Sequence, residues 1–248
     1  MLNGKVIIVT GGTGLLGREI ISEILKNNGI LVNFDVRSSK NALTEDYYVD
    51  ITNDEEVINT IEIVNRKYGR IDGLVHSAYP KSEYFGRAKA FEDEDMKYWR
   101  KDVDIQMLSG VVTAQKVLNI MERQGSGAVV FMSSIYGVVG NQLHLYSDTG
   151  GISTGVYNMI KGGIIGLTKY LAGYFGRFNV RINCVSPGGI KDVSHQHPGF
   201  IEKYENLVPM KRMGTPDDIA PVVCFMLSDG SKYITGQNII VDGGWTIV

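Results

Sequence analysis

A chain of 248 residues carrying 25 basic and 27 acidic side chains, net charge −2, is long enough to bury a large core. The balanced charge and the absence of basic runs argue against nucleic acid or an anionic membrane as the main partner, which leaves a small-molecule substrate as the expectation. Length alone permits one large domain or two small ones; the uninterrupted pattern that follows favours one, residues 1–248.

Met1 to Lys5 lead straight into Val6-Ile7-Ile8-Val9. This apolar run suits a strand buried on both faces and is too short for a signal sequence or a membrane span, so a cytoplasmic protein is expected. Thr10-Gly11-Gly12-Thr13-Gly14-Leu15-Leu16-Gly17 follows, then a helix predicted over Arg18 to Asn28. Glycines between a strand and a helix allow a tight turn and close approach to a pyrophosphate, while the helix N-terminus offers N–H groups to the anion. The next strand, Leu31 to Phe34, ends at Asp35. An acidic residue about twenty positions after such a turn accepts hydrogen bonds from the adenine ribose and repels a 2′-phosphate, favouring NAD(H) over NADP(H). Arg37 is the opposing signal, as a cation able to hold that phosphate or as a solvated loop residue.

The alternation continues with a strand over Tyr47 to Asp50, a helix over Asn53 to Tyr68 capped by Asn53 or Asp54, and a strand over Ile71 to His76. A polar segment from Tyr79 to Asp95 precedes a long helix, Met96 to Gln124. A fifth strand, Ala128 to Met132, runs into Ser133-Ser134. The helix Gly155 to Phe178, the strand Val180 to Val185, the helix Asp217 to Leu227 primed by Thr215-Pro216, and the strand Asn238 to Val241 complete the chain. Such alternation predicts an α/β fold of Rossmann type, a doubly wound parallel sheet of about seven strands with helices on both faces. Cys184 and Cys224 lie in apolar segments and read as buried, reduced thiols. His76, His144, His195 and His197 lack metal-ligand spacing, with His195 and His197 read as loop residues, and no metal is expected.

Tyr157 and Lys161 are four residues apart near the start of a helix and therefore share a face. An ammonium held close to a phenol favours the phenolate, which would lower the phenol's pKa toward the range useful for proton transfer. Alone the spacing is common; its company with the glycine turn, Ser133-Ser134 and Pro187-Gly188 gives it weight.

Taken in order, the glycine turn, Asp50-Ile51, Ala78, Ser133-Ser134, Tyr157 with Lys161, Asn183 with Pro187-Gly188, and the ending Thr235 to Gly244 resemble the short-chain dehydrogenase/reductase family over essentially the whole chain. The resemblance implies a catalytic set of Ser134, Tyr157 and Lys161. Tyr157 would be the acid/base, Ser134 would polarise the carbonyl, and Lys161 would bind the nicotinamide ribose and lower the tyrosine's pKa. It implies a dinucleotide held by Gly11, Thr13, Gly14, Leu15, Leu16, Gly17, Asp35 and Arg37, with Asp50 and Ile51 bordering the adenine. Ser77, Ala78 and Tyr79, with Tyr157, Lys161, Pro187, Gly188 and Ile190, would complete the cofactor site.

Departures from the family pattern are specific. Gly11, Gly14 and Gly17 have the spacing of the longer, sugar-nucleotide-modifying branch, whose extra substrate domain has no room after Val241. His76-Ser77-Ala78-Tyr79 stands where Asn-Asn-Ala-Gly is usual, placing a phenol beside the expected cofactor. The relay asparagine of the helix after strand four is matched by Gln106 or by Met107, depending on where counting starts. Asp192 occupies the position of a common threonine.

The loop Ile135 to Val156 contains Tyr136, Asn141, Gln142, His144, Tyr146, Ser147, Asp148 and Thr149, a lining suited to a hydroxylated substrate or else a solvated insertion. The segment Tyr136 to Lys161, with Gly162 to Leu171 after it, also resembles family members associated with flagellin glycosylation and nonulosonic-acid sugar synthesis. The function implied is hydride transfer between a secondary alcohol and a ketone on a sugar or sugar phosphate. A catalytically idle dinucleotide-binding protein and a sugar-nucleotide epimerase or dehydratase remain as alternatives. Apolar residues around the helices Met96–Gln124 and Gly155–Phe178 exceed one stripe, so a homo-oligomer, a tetramer rather than a dimer, is expected.

Overall fold

In the computed structural model, which describes residues 1–83, 91–146 and 154–248, seven parallel strands form one sheet in the order β3-β2-β1-β4-β5-β6-β7. These are β1 Val6–Thr10, β2 Ile30–Asp35, β3 Thr44–Tyr48, β4 Gly73–His76, β5 Gly127–Met132, β6 Val180–Pro187 and β7 Asn238–Val241. The sheet winds outward in both directions from β1 and β4, which pair in register through Thr10 and His76. A crevice therefore opens at the carboxyl ends of the strands, where the order reverses.

The helices are α1 Leu15–Lys26, α2 Asp54–Tyr68, α3 Met96–Val103, α4 Ser109–Gln124, α5 Gly155–Phe175, α6 Pro198–Leu207 and α7 Pro216–Leu227. α1 and α7 pack together over one face of the sheet around Ile20, Ile24, Val223 and Met226. On the other face α2, α4 and α5 bury Ile61, Leu118 and Ile160 against Ile8, Leu74 and Phe131. A smaller cluster of Ile135, Leu145, Tyr204, Val208, Met213 and Trp245 joins the described part of the 135–156 loop to α6 and the carboxyl end of the chain.

Several boundaries differ from the sequence expectation. α1 begins at Leu15 because extended Gly14 serves as its N-cap. β3 runs from Thr44 to Tyr48, leaving Asp50 in the following turn, and residues 176–178 form a 3₁₀ turn rather than prolonging α5. The predicted long helix contains a π turn, Asp104–Leu108, between α3 and α4. α6 was not anticipated: His197, expected in a loop, is its N-cap and accepts a hydrogen bond from the Gly199 N–H at 3.1 Å. No helix among the described residues is long and apolar enough to cross a membrane.

Candidate active site

The glycine turn after β1 is shaped for a close backbone approach. Gly11 has φ +71°, and a Cβ there would lie 2.5 Å from Ala78 Cα, so only glycine lets the turns after β1 and β4 touch. Thr10 joins the same two turns, its hydroxyl accepting from the Ala78 N–H at 3.2 Å and lying 3.1 Å from His76 Nδ1. At the start of α1 no side chain caps the helix, and Gly14 to Arg18 of this helix start line the crevice.

Asp35 at the end of β2 is buried and already engaged. It accepts from the Thr13 N–H at 2.9 Å, from the Thr13 hydroxyl at 2.8 Å and from the Arg37 N–H at 3.1 Å. Arg37 is exposed, with Nε 3.9 Å from the carboxylate. Asp50 fastens its own turn by accepting from Thr52, while neighbouring Ile51 is buried.

At the other end of the crevice Ser134 follows β5 and caps a 3₁₀ turn, its hydroxyl accepting from the Tyr136 N–H at 3.2 Å. Tyr157 lies in the first turn of α5 and Lys161 one turn later. Lys161 Nζ donates to the Met132 carbonyl at 3.0 Å, and the Ser133 hydroxyl donates to the Lys161 carbonyl at 2.9 Å. Burial pushes the Lys161 ammonium down to about 8.

Tyr157 departs from the expectation of a lowered pKa. Burial raises it, a hydrogen bond with Ser134 opposes that rise, and the nearby Tyr146 adds to it. The ammonium sits 5.6 Å from the Tyr157 ring centroid and is turned toward the strand carbonyl, so desolvation outweighs it.

All the sequence-predicted site residues line one cleft of about 1910 Å³, which runs from the glycine turn past Asp35, Arg37, Asp50 and Ile51 and past Ser77 to Tyr79. It continues to Ser134, Tyr157 and Lys161, and to Pro187, Gly188 and Ile190. Of the polar loop residues, Tyr136 and Tyr146 line it and Asn141, Gln142 and His144 do not; Ser147, Asp148 and Thr149 lie outside the described residues.

The choice between Gln106 and Met107 is decided by the π turn. Gln106 is buried and lines the cleft, whereas Met107 turns toward α5, where a Cβ at Gly163 would meet it at 2.8 Å. Asp192, in the threonine's place, accepts from Ser194 and lies 2.9 Å from His195 Nδ1.

Sequence reasoning missed Phe200 and Tyr204 of α6, which also line the cleft. The Tyr204 hydroxyl accepts from the Gly189 N–H at 2.5 Å, and its ring stacks on Trp245 with centroids 4.2 Å apart. The pair His197-Pro198, with proline at the first helical position, was the available signal for α6.

A cleft of this size, with an uncapped helix N-terminus at one end and Ser134, Tyr157 and Lys161 at the other, fits a dinucleotide. A family model described as enoyl-(acyl carrier protein) reductase matches residues 34–246. The post-translational flagellin modification protein A of Campylobacter coli is 31% identical over 257 residues, covering 99% of each chain. Among solved structures, a short-chain dehydrogenase from Leptospira borgpetersenii with bound NAD+ superposes with TM-score 0.89 at 31% identity, over 99% of this chain and 94% of that one. ElxO with NADP bound superposes with TM-score 0.86 at 25% identity, over 99% of this chain and all of that one. The chain belongs to the short-chain dehydrogenase/reductase family of nicotinamide-dependent oxidoreductases.

Proposed function

We propose that the protein is an NAD(H)-preferring oxidoreductase acting on a secondary alcohol or ketone of a hydroxylated substrate, a sugar or sugar phosphate. The observation that carries this reading is the convergence of Ser134, Tyr157 and Lys161 in the cleft that begins at the glycine turn. A nicotinamide dinucleotide held along that cleft would supply the hydride acceptor or donor.

The chain's own contribution is positioning and proton transfer. Ser134 and Tyr157, hydrogen-bonded to each other, present two hydroxyls to one substrate oxygen. In reduction Tyr157 gives its proton to that oxygen as negative charge develops there; in oxidation the tyrosinate takes the proton back. Lys161 supplies positive charge beside the phenol and, on the cofactor side, a donor for the ribose. Asp35 at the nucleotide end and the NAD+ in the Leptospira structure support the NAD(H) preference.

Tyr136 and Tyr146 among the residues lining the cleft, and the similarity to a flagellin modification protein, support a polar substrate. We further propose a homo-oligomer, a tetramer, supported by exposed Leu108 beside α4 and exposed Met159, Tyr170 and Tyr174 on α5. The test is nicotinamide absorbance during incubation with a panel of sugars, sugar phosphates and simple secondary alcohols. Turnover of a hydroxylated substrate with NAD(H) supports the reading. Dinucleotide binding without turnover across the panel would favour the idle, nucleotide-sensing alternative.

A further inference from the structure

One large side chain in the cleft has no part in this proton transfer. Tyr79 follows β4, and its ring meets Tyr157 edge-on, with centroids 6.0 Å apart and planes at 86°. Lys161 Nζ lies 5.4 Å from the Tyr79 centroid and 5.6 Å from that of Tyr157. The ammonium therefore occupies a corner made by two aromatic rings, with the Met132 carbonyl as its acceptor. Gln106, buried in the π turn, hydrogen-bonds the Tyr79 phenol. A glycine at position 79 would leave a phenol's volume open beside the lysine.

We infer that Tyr79 is a positioning residue whose ring closes the β4 side of the Lys161 pocket to water and braces the ring of Tyr157. The kinetic part of this inference rests on the proposed reaction; the part concerning Lys161 does not.

The groups facing the lysine can be named from each element around it. Tyr157 faces it from its own helix, Tyr79 from the turn after β4, His76 from β4, and Met132 and Ser133 from the end of β5. Asp102 of α3 also lines the cleft and acts on Tyr79. His76 is pushed down to about 4, by its own burial and then by the lysine, and is neutral at physiological pH.

Burial in this corner disfavours both charged forms, lowering Lys161 and raising Tyr157. Removing the ring should admit water and move the two back toward their ordinary values.

The full chain, without cofactor, would be labelled with ¹³Cε-lysine and titrated by NMR, the Lys161 signal being assigned by its loss in Lys161→Arg. Native protein and Tyr79→Phe should titrate together, below the other lysines, while Tyr79→Gly should titrate about one pH unit higher. Tyr79→Ala provides the same comparison if the glycine variant does not fold. Lys161 titrating alike in native protein and in the glycine or alanine variant would overturn the sealing role.

In the kinetic arm, the acid limb of kcat/KM for alcohol oxidation should move to lower pH in Tyr79→Gly, and an unmoved limb would overturn the bracing of Tyr157. Absence of turnover in the native chain would count against the proposed reaction, while the lysine titration would still decide the role of Tyr79.

Discussion

Replacing Asp35 by asparagine tests the nucleotide end of the cleft, because it removes one charge while keeping the side chain's size. The carboxylate accepts three hydrogen bonds, two from Thr13 and one from the Arg37 N–H. An asparagine whose oxygen keeps Thr13 turns its NH₂ toward Arg37, so two donors face each other and the charge assistance is lost. Hydrogen bonds to a charged group contribute about 1.5–3 kcal/mol, so the turn proposed to receive the dinucleotide should loosen.

Discrimination can be sized from the same charge. Like unit charges in contact repel by about 1 kcal/mol in water and several times more at lower dielectric; a 2′-phosphate carries nearly two, giving about 2 kcal/mol, or roughly 30-fold against NADPH. Arg37, exposed and 3.9 Å from the carboxylate, offsets part of this. Native protein should therefore bind NADH about tenfold or more tighter than NADPH, and Asp35→Asn should bring the two within about threefold, mostly by gaining NADPH affinity. Titration of both cofactors by nicotinamide fluorescence provides the ratio. Tighter binding of NADPH by native protein, or a ratio unmoved by the substitution, would refute the argument.

Tyr157→Phe should lower turnover by about 10²–10⁴-fold while leaving dinucleotide affinity within a few-fold, whereas Lys161→Met should lose both; steady-state rates beside cofactor titrations separate the two. Asp218, which accepts two Arg212 hydrogen bonds at 2.6 and 2.7 Å and caps α7 with Thr215, has its pKa lowered first by that guanidinium. A depressed carboxylate stabilises above its unfolded value and loses that contribution as pH falls through the folded one. Asp218→Ala should therefore cost about 1 kcal/mol at neutral pH, with the gap to native protein narrowing below about pH 4 in denaturant melts. Light scattering at micromolar concentration should give a multiple of 27.4 kDa, and a stable monomer would remove the proposed interface of α4 and α5.

Much of the fold was legible because strands buried on both faces leave continuous apolar runs, as in Val6 to Val9 and Ala128 to Met132. Where burial is weaker the signal fades: β3 is only half-buried at the sheet edge, and the predicted strand Tyr47 to Asp50 starts three residues late and ends two residues late. Helical counting could not assign Gln106 or Met107, because the π turn at Asp104–Leu108 shifts the phase of the helix just where the count crosses it. Spacing put Tyr157 and Lys161 on one face, but the direction of the tyrosine's pKa depends on burial, which spacing does not contain. α6 went unseen since its ten residues follow a polar stretch whose two histidines drew attention as non-ligands rather than as a helix start.

The separation of Ser134 from Tyr157 by 22 intervening residues raises the question of what holds them in register, and the backbone answers it. A Cβ at Gly137 would lie 2.7 Å from the Lys161 carbonyl carbon and oxygen and 3.0 Å from the Gly162 nitrogen, so the 3₁₀ turn after Ser134 rests directly on the main chain of α5. Ser133 and Lys161 then tie strand end to helix in both directions, one through a side-chain hydroxyl and the other through the ammonium. The serine and tyrosine are thus set by contacts that need only the start of the intervening loop, up to Gly137, and bypass the rest of it. The rest of the loop can carry cleft-lining residues such as Tyr146 without its conformation dictating the distance between the two hydroxyls. Changes within the loop should therefore act on KM and substrate choice before they act on the proton-transfer step, in contrast to a side chain introduced at Gly137, which would move the serine itself.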